Sequence, residues 1–151
     1  MLGVYLLALL ADFTWYRAHI PPGFRDARWS GSWETSNYGG LAGRLLVLLP
    51  DPIPEDEDFR AEALVYYPIY SVWQTGRFVR IDFGGRYSPE GITAGRSTEP
   101  IPGGGVLRFK GIAGRQVVEY SALVDGGRTR IVGGYLSADP YDYGHFFIRR
   151  D

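Results

Sequence analysis

Residues Arg28–Trp33 read RWSGSW, and the fold prediction starts from this stretch. If it forms a strand, Trp29, Gly31 and Trp33 point to one face and the serines point to the other. Two bulky indoles separated by a glycine suit the inner face of a tightly curved strand. The stretch therefore predicts the first strand of a closed sheet, with its indoles plugging one end of a barrel.

Seven further stretches also have strand-like patterns, many of them alternating, and are bounded by glycine, proline, asparagine or aspartate. The eight predicted strands are Arg28–Thr35, Gly43–Leu49, Phe59–Tyr67, Arg77–Phe83, Gly105–Gly111, Arg115–Val124, Arg128–Leu136 and Tyr143–Arg150. A further short strand at Tyr70–Gln74 is left open. No helical period separates these strands, so we predict an all-β fold. Its form is a small antiparallel meander barrel of about eight strands, with a β-sandwich as the second choice.

Two short connections carry turn signals. Asp125-Gly126 lies between two predicted strands, and this dipeptide readily adopts the positive φ angles of tight hairpins. Ile112–Arg115 is a second predicted tight turn. Both indicate that neighbouring strands in the sequence pair with each other.

The element Gly31-Ser32-Trp33 is followed by glycine-bounded strands and a closing aromatic strand, Gly144–Ile148. In this respect the chain resembles the lipocalin- and avidin-type (calycin-type) barrels, whose first strand carries a Gly-x-Trp element. The resemblance covers roughly Trp29 to Arg150. It implies an interior ligand cavity but transfers no ligand-binding residue to this sequence.

The predicted inward rows are bulky, and a barrel of about eight strands either fills its interior with side chains or holds one small ligand. We therefore expect a packed interior, and a small-molecule ligand is not favoured. The predicted barrel core includes Trp29, Trp33, Phe83, Phe109, Tyr135 and Phe146.

Composition excludes several classes of protein. The 151 residues carry a formal net charge of -1, which argues against a nucleic-acid partner. The absence of cysteine excludes a disulfide scaffold and thiolate metal sites. The length suits one domain with a real core.

Catalytic motifs are absent from the sequence. There is no nucleophile elbow, no zinc-protease motif and no dinucleotide fingerprint. Asp142 could orient His145 as a general acid–base pair, but strand alternation puts His145 outside the barrel. We therefore predict a protein that is not an enzyme, with no catalytic residue, metal or cofactor.

Two loops could suggest ligands. Pro50–Asp58, PDPIPEDED, is rich in carboxylates but lacks the spacing of a calcium-binding loop, so we interpret it as a solvated or partner-facing loop. Tyr87–Gly105 contains three consecutive glycines but lacks the Gly-Lys-Ser/Thr of a phosphate-binding loop. We interpret it as a flexible loop.

The chain opens with MLGVYLLALLADFTWYRAH, which predicts a helix over Leu2–His19 that ends at Pro21-Pro22. No basic residue precedes its apolar run, so it lacks the start of a secretory signal. Asp12 interrupts the run before it is long enough to span a bilayer. We expect residues 1–22 to be a docking or anchor segment and 23–151 to be a single barrel domain. The predicted docking residues are Leu2, Val4, Leu6, Leu7, Leu9, Leu10, Phe13, Trp15, Tyr16 and Arg17.

These features predict a non-catalytic accessory subunit of a larger membrane-protein assembly, for example a respiratory, photosynthetic or transport complex. Its partners would be subunits of that complex and the membrane interface. The alternative is a membrane-tethered, lipocalin-like barrel that binds a small ligand. A helix folded over one barrel opening also stays open. Arg17, Arg25 and Arg28 follow the apolar run and mildly favour the cytoplasmic face.

Overall fold

A computed structural model describes residues 2–37, 41–68, 78–89, 104–113, 116–138 and 141–151. Helix α1 spans Leu2–His19, and a short 3₁₀ helix follows at Pro22–Phe24. The strands are β1 (Trp29–Thr35), β2 (Ala42–Leu48), β3 (Asp58–Tyr66), β4 (Phe78–Ser88), β5 (Gly105–Ala113), β6 (Gln116–Val124), β7 (Arg130–Ala138) and β8 (Tyr141–Arg150). Each strand pairs antiparallel with the next, and β1 pairs with β8, so the sheet closes into a barrel.

The predicted fold class is confirmed, and the sandwich alternative is wrong. The predicted strand bounds agree with the structure within two residues, except that β4 continues to Ser88. Gly84-Gly85 looks like a strand end in the sequence. In the barrel β4 continues through Gly85, and the rings of Phe59 and Phe109 occupy the space that a Cβ at this position would need. The predicted short strand at 70–74 lies outside the described residues.

Closure depends on the pairing of β1 with β8. Trp29 lies opposite Arg150, and Trp33 lies opposite Phe146. Between them, the backbone of Phe147 approaches Gly31 so closely that a Cβ at Gly31 would overlap its carbonyl oxygen. The glycine predicted from the RWSGSW pattern is therefore the residue that lets the last strand meet the first.

Both indoles face the interior and are buried. The Trp33 Nε1–H donates a hydrogen bond to the Tyr66 carbonyl at 3.2 Å. Four residues of strand place the two indoles about 13 Å apart. They therefore do not both plug one end of the barrel, which differs from the prediction. Trp29 lies at the end where β1 begins, whereas Trp33 lines the interior nearer the other end.

The end of the barrel where β1 begins is filled, and we call it the closed end. Ile53, in the acidic loop between β2 and β3, is buried in the same core as Trp29. Arginines tie this loop down: Asp51 accepts from Arg28 at 2.5 Å and from Arg150 at 2.6 Å, and Glu55 pairs with Arg128. The acidic loop thus folds across the barrel's own end, while its carboxylates at Asp51 and Glu55–Asp58 stay exposed, as predicted for a solvated loop.

The β6–β7 hairpin is longer than the tight turn that Asp125-Gly126 predicts. Five residues, Asp125–Thr129, connect the strands, and Arg128 rather than an asparagine or aspartate adopts the left-handed φ of 53°. The Asp125 carboxylate accepts from the backbone N–H groups of Thr129 and Arg130 at 2.6 and 2.7 Å. This loop-internal bonding takes the place of a two-residue turn. The other predicted turn, Ile112–Arg115, lies partly outside the described residues.

The second half of α1 packs on the outer wall of β2, β3 and β4. Tyr16 is buried there with Leu46, Leu64 and Tyr66. The ring centroids of Tyr16 and Tyr66 are 4.8 Å apart. The helix therefore lies along the side of the barrel, not over its opening, and the predicted boundary at 22/23 separates two segments that pack together.

One buried polar contact fixes the helix against the wall. Asp12 is only 3% exposed, and the Tyr66 hydroxyl donates to its carboxylate at 2.6 Å. Because Tyr66 ends β3, the helical turns that precede Asp12 extend beyond the rim of the barrel.

The closure predicts a sharp difference between two glycines. Gly31→Ala should lower the free energy of unfolding by about 1–3 kcal/mol or more, since the new methyl group meets backbone that cannot move aside. Gly84→Ala is the matched control, because a Cβ there has open space around it. Urea denaturation followed by circular dichroism measures both. If both substitutions lowered the free energy of unfolding equally, the role of Gly31 in the pairing of β1 with β8 would be contradicted.

The Asp12–Tyr66 contact is tested by removing one oxygen. Tyr66→Phe should lower the free energy of unfolding by about 1.5–3 kcal/mol, because it removes a hydrogen bond to a buried carboxylate. Tyr5→Phe makes the same chemical change at a side chain that is 60% exposed and should have almost no effect. Thermal denaturation of the full chain compares them, and an unchanged melting temperature for Tyr66→Phe would contradict the contact.

Candidate functional site

The first half of α1 exposes a continuous apolar surface. Five of its large side chains are between 57% and 74% exposed, and four of the five are leucine or valine. These residues are Val4, Tyr5, Leu6, Leu7 and Leu10. They occur on every side of the helix, so this segment has no polar face.

The predicted docking residues separate into two groups. Val4, Leu6, Leu7, Leu10, Phe13 and Arg17 are exposed, and Leu9 is half-buried. Trp15 and Tyr16 instead pack on the barrel, where their rings contact Tyr66 and Phe78. The Leu2 side chain lies outside the described part of the structure. The first half of the helix, together with the exposed side chains of Phe13 and Arg17, is therefore available to a partner.

Aromatic and basic side chains surround the point where the exposed segment meets the barrel. The Arg44 guanidinium lies 4.7 Å from the Phe13 ring centroid and 4.9 Å from that of Tyr16. The Arg17 guanidinium lies 5.7 Å from the same Phe13 ring centroid. Such aromatic and arginine side chains are typical of the boundary between apolar and aqueous phases.

Length limits what α1 can do alone. In the described part of the chain, no helix is both long enough and apolar enough to cross a membrane. The nine residues Leu2–Leu10 measure about 13 Å along the helix axis, which is close to half of the ~30 Å hydrocarbon core.

A second apolar surface lies on the outer wall of β6, β7 and β8. Leu123, Val132 and Phe147 are neighbours across the three strands and form one row. Leu136 and Tyr143 are paired in a second row. All five are between 39% and 52% exposed. In an eight-stranded barrel this wall lies opposite the one that α1 covers. Contiguous exposed apolar patches mark interaction surfaces.

The barrel interior is mostly filled, as predicted, but it retains a cavity of about 130 Å³. The predicted core residues Trp29, Trp33, Phe83, Phe109 and Phe146 are buried, and Tyr135 is half-buried against the cavity. The Phe83 and Phe109 ring centroids are 5.6 Å apart. The volume is below the ~300 Å³ at which drug-sized ligand sites usually begin.

Polar groups gather at the end of the cavity opposite the closed end. Asp142 accepts hydrogen bonds from the Thr35 hydroxyl at 2.5 Å and from the Tyr135 hydroxyl at 3.2 Å. Ser137 also lines the cavity and is 3% exposed, and its hydroxyl has no hydrogen-bond partner in the described structure. With Tyr67 and Tyr120 these residues form what we call the tyrosine end.

Burial changes the acidity of these tyrosines. Loss of hydration raises the pKa of Tyr120, and the nearby hydroxyls of Tyr135 and Tyr67 raise it further. Burial also raises the pKa of Tyr67, to which the Asp142 carboxylate adds. For Tyr135 burial again has the largest effect and outweighs a hydrogen bond with Thr35 that lowers its pKa. All three therefore keep their hydroxyl protons at neutral pH.

The structure separates the acid–base pair considered above. His145 is exposed on the outer face, as alternation predicts, whereas Asp142 lies on the inner face. No cluster of three or more potential metal ligands occurs in the described ranges. The interior role of Asp142 was missed, although its even spacing from Phe146 and Ile148 places all three on one face of β8. Ser137 was missed as well, and it has the same spacing from Tyr135.

Comparison with models of known protein families, with curated proteins and with solved structures finds no significant match. The two apolar outer surfaces and the cavity are therefore the candidate functional features of this molecule.

The raised tyrosine pKa values predict lower stability in alkali. Above the ordinary tyrosine pKa of 10.0, the unfolded chain loses tyrosine protons that the folded chain retains, so the free energy of unfolding falls as pH rises. Tyr120 should contribute up to about 1.4 kcal/mol per pH unit, and Tyr120→Phe should remove that part of the slope. Urea denaturation between pH 9 and 11.5 measures it.

The matched control is Tyr141→Phe, which removes the same oxygen from a side chain that is 62% exposed on the outside of the barrel. Tyr120→Phe should reduce the slope by more than this control does. A Tyr120→Phe slope equal to that of the control would show that Tyr120 is hydrated in the folded barrel.

Proposed function

We propose that this protein is a non-catalytic accessory subunit of a larger membrane-protein assembly, of the respiratory, photosynthetic or transport kind. The first half of α1 attaches it within the apolar phase, and the barrel rests on a partner subunit at the membrane surface. The observation that carries this proposal is the exposure of apolar side chains on all sides of residues 4–10.

The distribution of those side chains supports insertion. A helix that lies flat in the interface has one apolar face and one strongly polar face. The exposed turns of α1 have no polar face, and a helix that is apolar all round is stable only when apolar material surrounds it. Leu6, Leu7 and Leu10 would each gain from leaving water, by about 1.5–3 kcal/mol when fully buried.

The outer wall of β6–β8 supports a protein partner in addition to lipid. A bilayer would account for the exposed end of α1, but it would leave the Leu123, Val132 and Phe147 row in water. A subunit that contacts this wall would cover the row. Arg17, Arg25 and Arg28 follow the inserted segment, and on the positive-inside tendency we place the barrel on the cytoplasmic face.

The second candidate function is a tethered, lipocalin-like barrel that binds a small ligand. The cavity of about 130 Å³ with its polar end favours it. Recovery of the native protein as a monomer that carries a small molecule would support this function. Co-purification with a membrane complex in mild detergent would support the accessory subunit.

Attachment is tested by charging the exposed turns. Leu6→Arg combined with Leu10→Arg should release the full chain from native membranes, because each arginine at depth costs about 2.5–3.5 kcal/mol on insertion scales. Both positions are exposed, so the barrel should keep its fold and its circular dichroism spectrum. Sedimentation of membranes and carbonate extraction measure the release.

Thr14→Arg combined with Ala18→Arg is the matched control. These positions have the same spacing on the same helix and are also exposed, but they lie beside the barrel wall. The control should stay attached. If the Leu6→Arg, Leu10→Arg protein also remains with the membranes, the exposed turns are not the attachment and the proposal is wrong.

A further inference from the structure

The cavity inside the barrel is lined by one charged side chain. Asp142 is that residue, and every other described lining residue is apolar, hydroxylic, aromatic or an amide. No arginine or lysine in the described ranges forms an ion pair with it, and both of its hydrogen bonds come from neutral hydroxyls. These hydroxyl donors orient the carboxylate but bring no positive charge to it.

Asp142 lies half-buried at the end of an apolar cavity. Exposed carboxylates on the outside of this barrel pair with arginines, as Glu62 does with Arg80 at 2.6 Å. Among the described residues no cation takes the corresponding place inside, next to Asp142, and a cationic ligand can occupy it.

Aromatic rings surround the same space. The Tyr120 ring centroid lies 6.1 Å from those of Tyr135 and Phe146, and Trp33 meets Tyr67 edge-on at 4.8 Å. All five rings line the cavity. Ring faces attract cations, and tetraalkylammonium groups in particular, because these present methyl groups and carry a weakly hydrated charge.

The unpartnered Ser137 hydroxyl is a second and independent sign of a ligand. It is buried, lines the cavity and has no hydrogen-bond partner in the described structure. Buried hydroxyls are rarely left without one. Its oxygen accepts hydrogen bonds, and Ser137 is paired with Asp142 across β7 and β8, so the N–H of a partly substituted ammonium ion beside Asp142 would supply that partner.

We propose that the tyrosine end of the barrel binds a small organic ammonium ion, with its charge beside Asp142 and its alkyl groups against the rings of Trp33, Tyr120 and Tyr135. This inference rests on the second candidate function and is independent of how α1 is attached. The ammonium group supplies the missing positive charge, and the rings replace its water.

The size of the cavity sets the size of the ligand. An apolar cavity of about 150 Å³ in another protein accepts benzene, which has six heavy atoms. A space of about 130 Å³ therefore suits a similarly small ion. Tetramethylammonium, with five heavy atoms, is the probe, and tert-butanol, also with five, is its neutral counterpart.

The first experiment needs no mutation. Isothermal titration of the full chain in mild detergent, at constant ionic strength, should show saturable binding of tetramethylammonium. Its dissociation constant should be at least tenfold lower than that of tert-butanol. Trp33 lines the cavity, so tryptophan fluorescence gives a second readout.

Variants then locate the site. Asp142→Asn keeps one of the two acceptor oxygens, which accept from Thr35 and Tyr135 respectively, replaces the other by an amide NH2 and removes the charge, so it should weaken tetramethylammonium at least tenfold and leave tert-butanol unchanged. Asp82→Asn, on the exposed face of β4, should change neither affinity. If Asp142→Asn fails to fold, Ser137→Val serves instead, because it fills the cavity without touching the charge and should weaken both probes.

The outcomes separate this inference from the function on which it rests. Equal affinities for the two probes would leave a ligand-binding barrel but overturn the ammonium site. Absence of binding by either probe would overturn both. The Leu6→Arg, Leu10→Arg protein should bind tetramethylammonium with unchanged affinity, whatever happens to its attachment.

A free ammonium ion and the headgroup of a choline lipid share this chemistry. The Leu6→Arg, Leu10→Arg protein, used without detergent, distinguishes the two sources. Displacement of tetramethylammonium by phosphatidylcholine vesicles but not by phosphatidylglycerol vesicles would assign the site to a lipid headgroup. Retention in the presence of both would assign it to a free ion, and displacement by both equally would overturn the ammonium site.

Discussion

The contact between β1 and β8 is the constraint on which the rest of this molecule depends. Without it the eight strands would form an open sheet with two unpaired edges. The contact requires that β1 carry no side chain where the Phe147 backbone crosses it, and Gly31 meets that requirement. The indoles on either side of Gly31 then face the interior. The register of the remaining strands with β1 determines which of their side chains point inward.

Closure also creates the two environments that the protein exposes. An eight-stranded cylinder has an outer wall, and here α1 covers β2–β4, while two apolar rows on β6–β8 are exposed in the described part of the chain. The Asp12–Tyr66 hydrogen bond determines where α1 leaves the wall. It holds the second half of the helix against the barrel and directs the first half past the rim. This buried pair therefore divides α1 into a half that packs on the barrel and a half that extends past the rim.

The interior has two unlike ends. The closed end is filled by Trp29, Ile53 and their neighbours and is tied by the arginines that hold the acidic loop. The tyrosine end keeps open space together with a carboxylate and a buried hydroxyl that has no partner among the described residues. A core built for stability alone would have an apolar side chain at position 137, because an unpartnered polar group there costs stability. This difference between the ends is the physical basis for assigning binding to one of them.

The sequence by itself determined the local structure. Alternation gave the strand positions and the inward rows, the prolines ended α1, and RWSGSW marked the curved first strand, because period, φ restriction and side-chain volume act over a few residues. It also located His145 on the outside.

Tertiary structure alone decided which long-range partners those residues meet. In the sequence Asp12 only interrupts an apolar run. In the structure it is buried and accepts a hydrogen bond from Tyr66, which is 54 residues away and so is not visible as a partner in the local pattern. The carboxylates of Pro50–Asp58 are exposed, as the sequence indicates, but the loop folds across the closed end because its arginine partners are Arg28 just before β1, Arg150 of β8 and Arg128 of the β6–β7 turn. Asp142 and Ser137 share a cavity only after the sheet has closed. Pairing distances of this kind depend on barrel register and closure, which a one-dimensional pattern does not encode.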